Sequence, residues 1–252
     1  MLDKNEVLSF IRQSDFTNTQ QLCERFQVSE STVRRVLDKL DMAGQITRIH
    51  GGAMPVSNPA QMTEFQQRNR QNKAQKIAIA RAAAELIHEH DTVILMGGTT
   101  VCEMCPFIEK RRITVITNSI LVLNGLRHSQ NVRLIMLGGL YNYQEEELGG
   151  LMNNHGLERM RANRMFMGSA GFDERFGFAI TNASLEMYTT CIASSLSTCV
   201  LADSTKYMSG GTSVAATPEQ VEYLITDAGL DRRAKEAMEA QSVKVILADQ
   251  IP

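Results

Sequence analysis

From Lys73 onward, short apolar runs alternate with segments of helical periodicity, and this alternation restricts the fold more than any other feature of the chain. The predicted strands are Thr92–Met96, Ile113–Thr117, Val132–Leu137, Arg164–Gly168, Thr198–Ala202, Tyr223–Thr226 and Val243–Leu247. The predicted helices are 74–87, 100–110, 119–128, 150–160, 184–195 and 231–240. Apolar strands separated by helices form a mostly parallel sheet that is covered on both faces. We therefore predict an α/β domain over residues 73–252.

The first 54 residues follow a different pattern, which predicts short helices and a β wing. The apolar residues that share one face of each predicted helix are Val7, Leu8 and Ile11, then Leu22 and Phe26, then Val33, Leu37 and Leu40. Thr19 is the predicted N-cap of the second helix. Ser29 or Glu30 precedes the third helix, and Gly44 is suited to its C-cap. Ile46–Ile49, followed by two glycines, predicts a strand and a turn, so residues 1–54 are predicted to form a separate domain.

The segment between these two regions is polar. Residues 55–72 contain many Gln and Asn and little apolar periodicity, so we predict a linker with room for one helical turn late in it. The N-terminus has no basic segment followed by an apolar core, and the apolar runs are far too short to cross a bilayer. We therefore expect a cytoplasmic protein with no membrane partner.

The five cysteines suggest neither a disulfide framework nor a metal site. An odd number argues against a disulfide framework in a protein without a secretion signal. Cys102 and Cys105 have the spacing of a redox motif, but two semi-buried thiols one turn apart on a helix are the interpretation that we favour. A lone cysteine pair cannot complete a tetrahedral zinc site, and no histidine pair at ligand spacing lies nearby. No metal is predicted.

Residues 19–42 fit a helix-turn-helix. The apolar residues can form a small core between two crossed helices, which leaves polar residues at the exposed start of the second helix. The first residues of such a helix meet base edges in the major groove, and arginine binds guanine or phosphate. The predicted DNA-binding residues are Thr19, Ser29, Ser31, Thr32, Arg34 and Arg35, together with Arg48, His50 and Gly51 on the wing.

Net charge alone gives this interpretation no support. Residues 1–54 contain seven basic and seven acidic residues, and the whole chain has a net charge of −2. The argument for DNA therefore depends on where the charges lie. The alternative is an αα-hairpin inside another domain, with Arg34 and Arg35 merely solvated. The basic group and tight turn at Arg48–Gly52 favour DNA binding.

Small and polar residues follow five of the predicted strands. These clusters are Gly97–Thr100, Thr117–Ser119, Gly138–Gly139, Gly168–Gly171 and Asp203–Lys206. Ligands of open parallel sheets bind outside the carboxyl ends of the strands, where backbone N–H groups and hydroxyls can hold an anion. With the charge of Lys206, the clusters predict a site for a small polyhydroxylated, phosphorylated ligand. The alternative is that each cluster is an ordinary β→α turn.

Neither ATP nor NAD is predicted as a cofactor. No Gly-Lys-Ser/Thr follows Gly97–Thr100, so this segment is not a Walker loop, and the three-glycine spacing of dinucleotide sites is absent. The acidic run at 145–147 is interpreted as a solvated loop.

The N-terminal segment resembles the DeoR family of bacterial repressors. The resemblance is carried by Val28-Ser29-x-x-Thr32-Val33-Arg34-Arg35, by Leu37, Leu40 and Gly44, and by Ile49-His50-Gly51-Gly52-Ala53. It implies a DNA-binding domain with a bound operator as partner. One departure is Val36, where the family usually has an aspartate that could orient the preceding arginines.

The resemblance continues from about Lys73 to Leu247, and it implies a sensor domain for a sugar phosphate with a fold similar to ribose-5-phosphate isomerase and coenzyme A transferases. The effector-binding residues that it implies are Gly98, Thr99, Thr100, Asn118, Ser119, Gly138, Gly139, Gly168, Gly171, Glu186, Asp203 and Lys206. Met96 departs from the family, which often has an aspartate there. The stretch 224–231 is most similar to repressors of hexitol or related sugar operons.

The leading hypothesis is a repressor of a sugar or sugar-alcohol operon that acts as a homodimer or homotetramer and is released by a phosphorylated sugar. A second hypothesis is a sugar-phosphate isomerase with an accessory DNA-binding head, which would use Lys206, Asp203 and Glu186 as acid and base groups. A third is a thiol-based regulator that uses Cys102 and Cys105. The complete helix-turn-helix and Met96 favour the first hypothesis, in which the protein is not an enzyme.

Overall fold

A computed structural model of the chain describes residues 2–14, 16–42, 45–49, 51–55, 64–150, 154–181 and 185–248. The chain divides into two compact units, the N-terminal unit of residues 1–70 and the C-terminal unit of residues 71–252. Within the described ranges, no helix is both long enough and apolar enough to cross a membrane.

The N-terminal unit is a winged helix-turn-helix. Its elements are α1 Lys4–Ile11, β1 Thr17–Asn18, α2 Thr19–Phe26, α3 Glu30–Met42, β2 Ile46–Ile49, β3 Gly52–Pro55 and α4 Glu64–Arg70. β3 pairs antiparallel with both β1 and β2. The residues predicted to face inward are buried, except Phe26, which is partly buried against the same core. Val36 also joins this core, at 7% exposure. The predicted fold of this region is therefore confirmed.

The start of α2 differs from the prediction. Asn18, not Thr19, is the N-cap, because its side chain accepts a hydrogen bond from the Gln21 N–H while the Gln21 side chain accepts from the Asn18 N–H. Thr19 is the first helical residue, and its buried hydroxyl donates to the carbonyl oxygen of Gly51 at 3.0 Å. The predicted C-cap Gly44 lies outside the described residues.

The late part of the predicted linker 55–72, where one helical turn was expected, forms the seven-residue helix α4. Phe65 is 3% exposed, so a segment with little apolar periodicity still buries one apolar side chain. Arg70 donates from Nη2 to the carbonyl oxygen of Ile46 at 2.8 Å, which ties the end of α4 to the wing strand β2. Residues 56–63 lie outside the described ranges.

The C-terminal unit is an α/β domain built on a seven-stranded sheet. In chain order its elements are α5 Lys73–Ala84, β4 Thr92–Leu95, α6 Cys105–Ile108, β5 Ile113–Thr117, α7 Ile120–Leu126, β6 Val132–Met136, β7 Leu140–Asn142, β8 Glu147–Gly149, α8 Asn154–Leu157, β9 Arg164–Gly168, β10 Gly171–Asp173, β11 Gly177–Ile180, α9 Leu185–Ala193, β12 Thr198–Leu201, β13 Ser213–Ala216, β14 Tyr223–Asp227, α10 Arg232–Ala240 and β15 Lys244–Ala248.

The large sheet has the order β15-β14-β12-β9-β4-β5-β6, and all its neighbouring strands are parallel. Successive residues of its apolar strands belong to different cores: Ile94 and Val200 lie on one face, and Val93, Leu95 and Leu201 on the other. α5 and α7 cover one face, and α9 and α10 cover the opposite face. All seven predicted strands are present, and the α/β fold class is confirmed.

Two smaller sheets were not predicted. β10, β11 and β13 form an antiparallel sheet, and β7 pairs with β8 in a hairpin. These strands have only three or four residues, so they give little period-2 pattern. β10 also starts at Gly171, where a Cβ atom would lie 1.9 Å from the carbonyl oxygen of Ser209, so close backbone approach explains this glycine better than ligand contact.

Candidate DNA-binding surface and effector site

The start of α3 presents hydroxyls and arginines on the side opposite its buried stripe. Val33 and Leu37 are fully buried, whereas Arg34 and Arg35 are exposed. The carbonyl oxygen of Ser29 accepts from the N–H groups of Thr32 and Val33, so Ser29 begins the first turn. The Ser29 hydroxyl also lies 3.0 Å from the Ser31 and Thr32 hydroxyls. The predicted DNA-binding residues 29–35 therefore share one short surface.

Two of the three predicted arginines are paired with carboxylates of α3. Arg34 donates from Nε and Nη2 to Oε1 of Glu30, at 3.0 and 2.5 Å. Arg48 pairs with Asp38, and its backbone N–H donates to Oδ1 of Asp41 at 3.2 Å. Arg35 is exposed, and its side chain makes no ion pair or hydrogen bond with another described residue.

The wing turn is attached to α2. Gly51 has a φ of 83°, a left-handed value that suits glycine, and its carbonyl oxygen accepts from both the N–H and the hydroxyl of Thr19. A groove of about 630 Å³ lies between the wing, α2 and α3. Its lining includes Asn18, Thr19, Gln20, Cys23, Glu30, Arg34, Arg48 and Gly51. The structure thus brings Thr19, Arg34, Arg48 and Gly51 to one concave surface, while His50 lies outside the described residues.

In the C-terminal unit, the five predicted clusters follow five adjacent strands, β12, β9, β4, β5 and β6. The strands are parallel, so these clusters share the carboxyl edge of the sheet. The turn after β4 passes close to the end of β9. A Cβ atom added to Gly98 would lie 3.8 Å from the Cα atom of Gly168. Gly98 has a φ of 138°, which a side chain would disfavour. Thr99 is half-buried and Thr100 is buried in the same turn.

Asp203 organises the loop after β12. It is 2% exposed, and its Oδ1 accepts from the N–H of Thr205 at 3.2 Å, from the Thr205 hydroxyl, and from Nδ2 of Asn72 at 3.0 Å. Asp227, at the end of β14, accepts from the N–H and the hydroxyl of Ser204 at 2.7 and 2.9 Å. Two buried carboxylates therefore fix the loop that carries Lys206, which is half-buried.

Lys76 on α5 is a site residue that the sequence interpretation missed. It is 4% exposed, and burial lowers the pKa of its ammonium group from 10.5 to about 8. The nearby charge of Asp203 opposes this shift in the pKa, whereas Lys206 and Lys73 reinforce it. Position 76 lies on the same helical face as Ile79, Ala80 and Ala83. A lysine within such an apolar stripe is unusual, so the sequence pattern could have identified Lys76 as a candidate.

Asn118 and Ser119 have structural partners. The Asn118 Oδ1 accepts from the N–H of Gly97 at 3.1 Å, and its Nδ2 donates to the carbonyl oxygen of Leu148 and to Oε2 of Glu147, at 3.1 and 3.4 Å. Ser119 is the N-cap of α7, where its hydroxyl accepts from the N–H of Val122. Both predicted residues therefore hold the turns around the site in place.

The interpretation of 145–147 as a solvated loop was wrong for Glu147, which is partly buried. It begins β8, and the hairpin β7–β8 carries it back over the end of β5. A Cβ atom on Gly97 would lie 2.3 Å from its Oε2, so a side chain at 97 would displace this carboxylate. Nothing local in the sequence distinguishes Glu147 from its acidic neighbours, since its position depends on a contact 29 residues away.

The remaining predicted effector residues have other surroundings. Gly138 and Gly139 follow the edge strand β6, where they are exposed and lead into the hairpin β7–β8. Glu186 is exposed in the first turn of α9, and its backbone carbonyl oxygen accepts from the Thr190 hydroxyl. Gly171 is enclosed by backbone, as described above.

The thiols of Cys102 and Cys105 are held in their protonated form. Burial, reinforced by the charge of Glu103, raises the pKa of each to about 12. The Cys102 thiol donates to the carbonyl oxygen of Thr99 at 3.1 Å. A protonated thiol is a poor nucleophile, so the geometry does not favour redox regulation through this pair. Among the residues that the structure covers, no three His, Cys, Asp or Glu side chains cluster as metal ligands.

Comparison with known proteins gives the family. Residues 4–58 match the DeoR-like helix-turn-helix domain, and residues 71–228 match the DeoR C terminal sensor domain. The chain belongs to the DeoR family. It is a DeoR-type transcriptional regulator, and the resemblance found in its motifs is confirmed.

Three relatives cover nearly the whole chain. The uncharacterized HTH-type transcriptional regulator YulB of Bacillus subtilis is 30% identical over 96% of this chain and 94% of its own length. The lactose phosphotransferase system repressor of Staphylococcus epidermidis is 33% identical over 94% and 95%. The transcriptional repressor AccR of Agrobacterium fabrum is 29% identical over 89% and 88%. These relatives favour regulation over the isomerase hypothesis.

Two solved structures that the chain resembles are ribose 5-phosphate isomerase A from Methanocaldococcus jannaschii and eIF2B beta from Chaetomium thermophilum. The isomerase has a TM-score of 0.40 and 14% identity, and the match covers 54% of this chain and 55% of that chain. The eIF2B subunit has a TM-score of 0.47 and 16% identity, and the match covers 88% and 62%.

Proposed function

We propose that this regulator represses a sugar or sugar-alcohol operon by binding operator DNA through α3 and the wing, and that a phosphorylated sugar at the carboxyl edge of the large sheet releases it. The relatives named as repressors, one of them for a lactose phosphotransferase system, support repression of sugar genes. The observation that carries the effector assignment is the buried Lys76 beside Asp203 and Lys206.

Lys76 and Lys206 supply the charge that binds the phosphoryl group. Burial disfavours the charged form of Lys76, and the pKa is lowered because the nearby charge of Asp203 offsets burial only in part. An incoming phosphate stabilises the charged form, so ligand binding and Lys76 protonation favour each other. The backbone N–H groups of residues 98–100 in the turn after β4 supply further donors, as at other glycine-rich anion sites.

Asn72 connects this site to the chain that enters the domain. It precedes α5, has a left-handed φ of 53°, and donates to both Asp203 and Thr205, at 3.0 and 3.3 Å. A ligand that moves the loop at 203–206 therefore changes the hydrogen bonds that hold Asn72. Because the N-terminal unit ends at residue 70, this gives effector binding a short covalent route to it.

The protein acts as a homodimer or homotetramer, because helix-turn-helix proteins read paired half-sites about one helical turn apart. Light scattering on the purified chain measures this mass directly. A monomer that retains full operator affinity would contradict the assignment.

The protein has no isomerase activity in this proposal. Met96 is fully buried against the thiol of Cys191, at 3.5 Å between sulfur atoms, so no carboxylate is available at that position. Oδ1 of Asp203 already accepts three hydrogen bonds that hold the loop. Turnover of ribose 5-phosphate or a similar aldose phosphate by purified protein would contradict this part of the proposal.

The main test is a gel shift with duplexes from upstream of sugar-metabolism genes, run with and without a panel of sugar phosphates. We expect one duplex to be retained and at least one sugar phosphate to release it. Lys206→Ala is expected to retain the duplex but to lose the response. Loss of retention in Lys206→Ala, with the fold intact by circular dichroism, would contradict the placement of the effector site.

A further inference from the structure

The arginines of the groove between the wing, α2 and α3 are paired with carboxylates of the N-terminal unit, so their positive charges are neutralised. Glu30, Arg34 and Asp38 are four residues apart along α3, so they lie on one helical face with alternating charge. Glu30 holds Arg34, and Asp38 holds Arg48, while Arg35 has no such partner among the described residues. Residues 1–54 carry as many acidic as basic residues. A DNA-binding domain gains no long-range attraction from such a balance.

We propose that Glu30 is a specificity-determining residue, which keeps Arg34 off the phosphates of DNA of unrelated sequence and releases it to a base edge in the operator. The inference rests on the proposed placement of α3 on DNA. Arg34 and Glu30 are 62% and 59% exposed, so their ion pair is weak and can be exchanged. Guanine O6 and N7 offer Arg34 two acceptors in place of the carboxylate.

In this proposal, Glu30 also affects two other parts of the DNA, the cytosine that pairs with the guanine and the phosphate backbone. A carboxylate that leaves Arg34 can accept from the amino group of cytosine N4, so the pair as a whole matches one G·C base pair. On DNA that offers no such base pair, the carboxylate remains with Arg34 and adds a repulsion toward phosphate. Glu30 therefore weakens binding to unrelated DNA more than it weakens binding to the operator.

This proposal has a measurable signature in the dependence of affinity on salt. Each phosphate that a protein neutralises adds about −0.9 to the slope of log K against log salt. Glu30→Gln frees Arg34 for a phosphate, so the slope for unrelated DNA is expected to steepen by about one per protomer. Affinity for unrelated DNA at low salt is expected to rise about two- to fivefold, the range of an exposed ion pair.

Glu6→Gln is the matched control. Glu6 occupies the first turn of α1, as Glu30 does in α3, is exposed, and forms no ion pair with another described residue. The two variants therefore make the same change in net charge and in the charge near a helix N-terminus. Arg34→Ala, alone and combined with Glu30→Gln, tests whether the effect passes through Arg34.

The experiment titrates the full chain and its variants with a labelled duplex of about 30 base pairs of mixed sequence, at a series of salt concentrations. The proposal expects tighter binding and a steeper slope for Glu30→Gln than for Glu6→Gln, and no such excess in the Arg34→Ala background. Equal effects of Glu30→Gln and Glu6→Gln, or an excess that persists without Arg34, would overturn it.

A selection from a pool of randomised duplexes separates this proposal from the proposed function. The wild type is expected to enrich a defined sequence, and Glu30→Gln a broader set that loses preference at a G·C position. If the wild type enriches nothing, the operator-binding function fails. If both proteins enrich the same sequence equally well, the role of Glu30 fails while operator binding stands.

Discussion

On α3, the side chains of Arg34 and Glu30 are 62% and 59% exposed, whereas at the edge of the large sheet Lys76 and Asp203 are only 4% and 2% exposed. An exposed ion pair contributes little stability and competes with salt and with other anions. A buried charge is costly to leave without its partner, and it fixes the groups around it. In the proposed function, the DNA-binding surface is therefore suited to exchange of partners, and the effector site to a fixed geometry that one ligand completes.

The largest expected effect comes from removing the buried carboxylate. Asp203→Ala removes a nearby negative charge that favours the ammonium form of Lys76 and removes the acceptor for Asn72 and Thr205, so the free energy of unfolding is expected to fall by about 3 kcal/mol. Urea unfolding followed by circular dichroism measures the loss. Asp203→Asn is the control that keeps an acceptor but not the charge, and an intermediate loss is expected for it. A loss below about 1 kcal/mol in Asp203→Ala would mean that the interaction of Asp203 with Lys76 contributes no more to stability than an exposed ion pair does.

The second effect is a dependence of stability on pH. Lys76 has a pKa of about 8 in the folded chain and 10.5 when unperturbed, so between these values the unfolded chain binds the proton more strongly. The contribution of Lys76 to the free energy of unfolding therefore rises with pH from about 8 to 10.5, by up to about 1.4 kcal/mol per unit. This gain in the free energy of unfolding is complete above a pH of about 10.5 and absent below a pH of about 8. The difference between the wild type and Lys76→Met measures it, and a difference that is flat across the window would contradict the buried charge.

The third effect compares two adjacent arginines on DNA of unrelated sequence. Arg35 has no ion-pair partner among the described residues, so Arg35→Ala is expected to weaken binding about threefold or more and to reduce the salt slope by about one. Arg34 is held by Glu30, so Arg34→Ala is expected to change both quantities much less. Fluorescence anisotropy at several salt concentrations measures both. Equal losses for the two variants would show that the Glu30 pair does not persist on DNA.

The smallest effect is the stability of the exposed pair itself. Glu30→Ala removes an i, i+4 ion pair and an acidic residue near the start of α3, so the free energy of unfolding is expected to fall by less than about 1 kcal/mol. Thermal unfolding of the full chain measures it, with Glu6→Ala as the control. A loss as large as that of Asp203→Ala would remove the contrast between the two surfaces.

The local features of both surfaces could be predicted from the sequence. The spacing of Val33, Leu37 and Leu40 placed the stripe of α3 inward, and with it Arg34 and Arg35 outward. The seven apolar runs placed the clusters at one edge of a parallel sheet. Lys76 could have been found as well, because its position within an apolar helical face is a local signal.

The contacts that complete the sites could not be predicted in the same way. Asn72 meets Asp203 across 131 residues, and Asn118 meets Glu147 across 29. No periodicity within a short window records such a pairing. The same holds for the choice of Asp38 as the partner of Arg48, because it depends on how the wing folds back on α3.

The central claim is that a phosphorylated sugar binds beside Lys76 and thereby weakens operator binding. The direct measurement is the affinity of wild type and Lys76→Met for the duplex that the wild type selects, with and without each member of a panel of sugar phosphates. We expect the two proteins to bind the free duplex equally well, and one sugar phosphate to weaken the wild type at least about tenfold while leaving Lys76→Met unchanged. Equal release of both proteins by the same sugar phosphate would contradict the account.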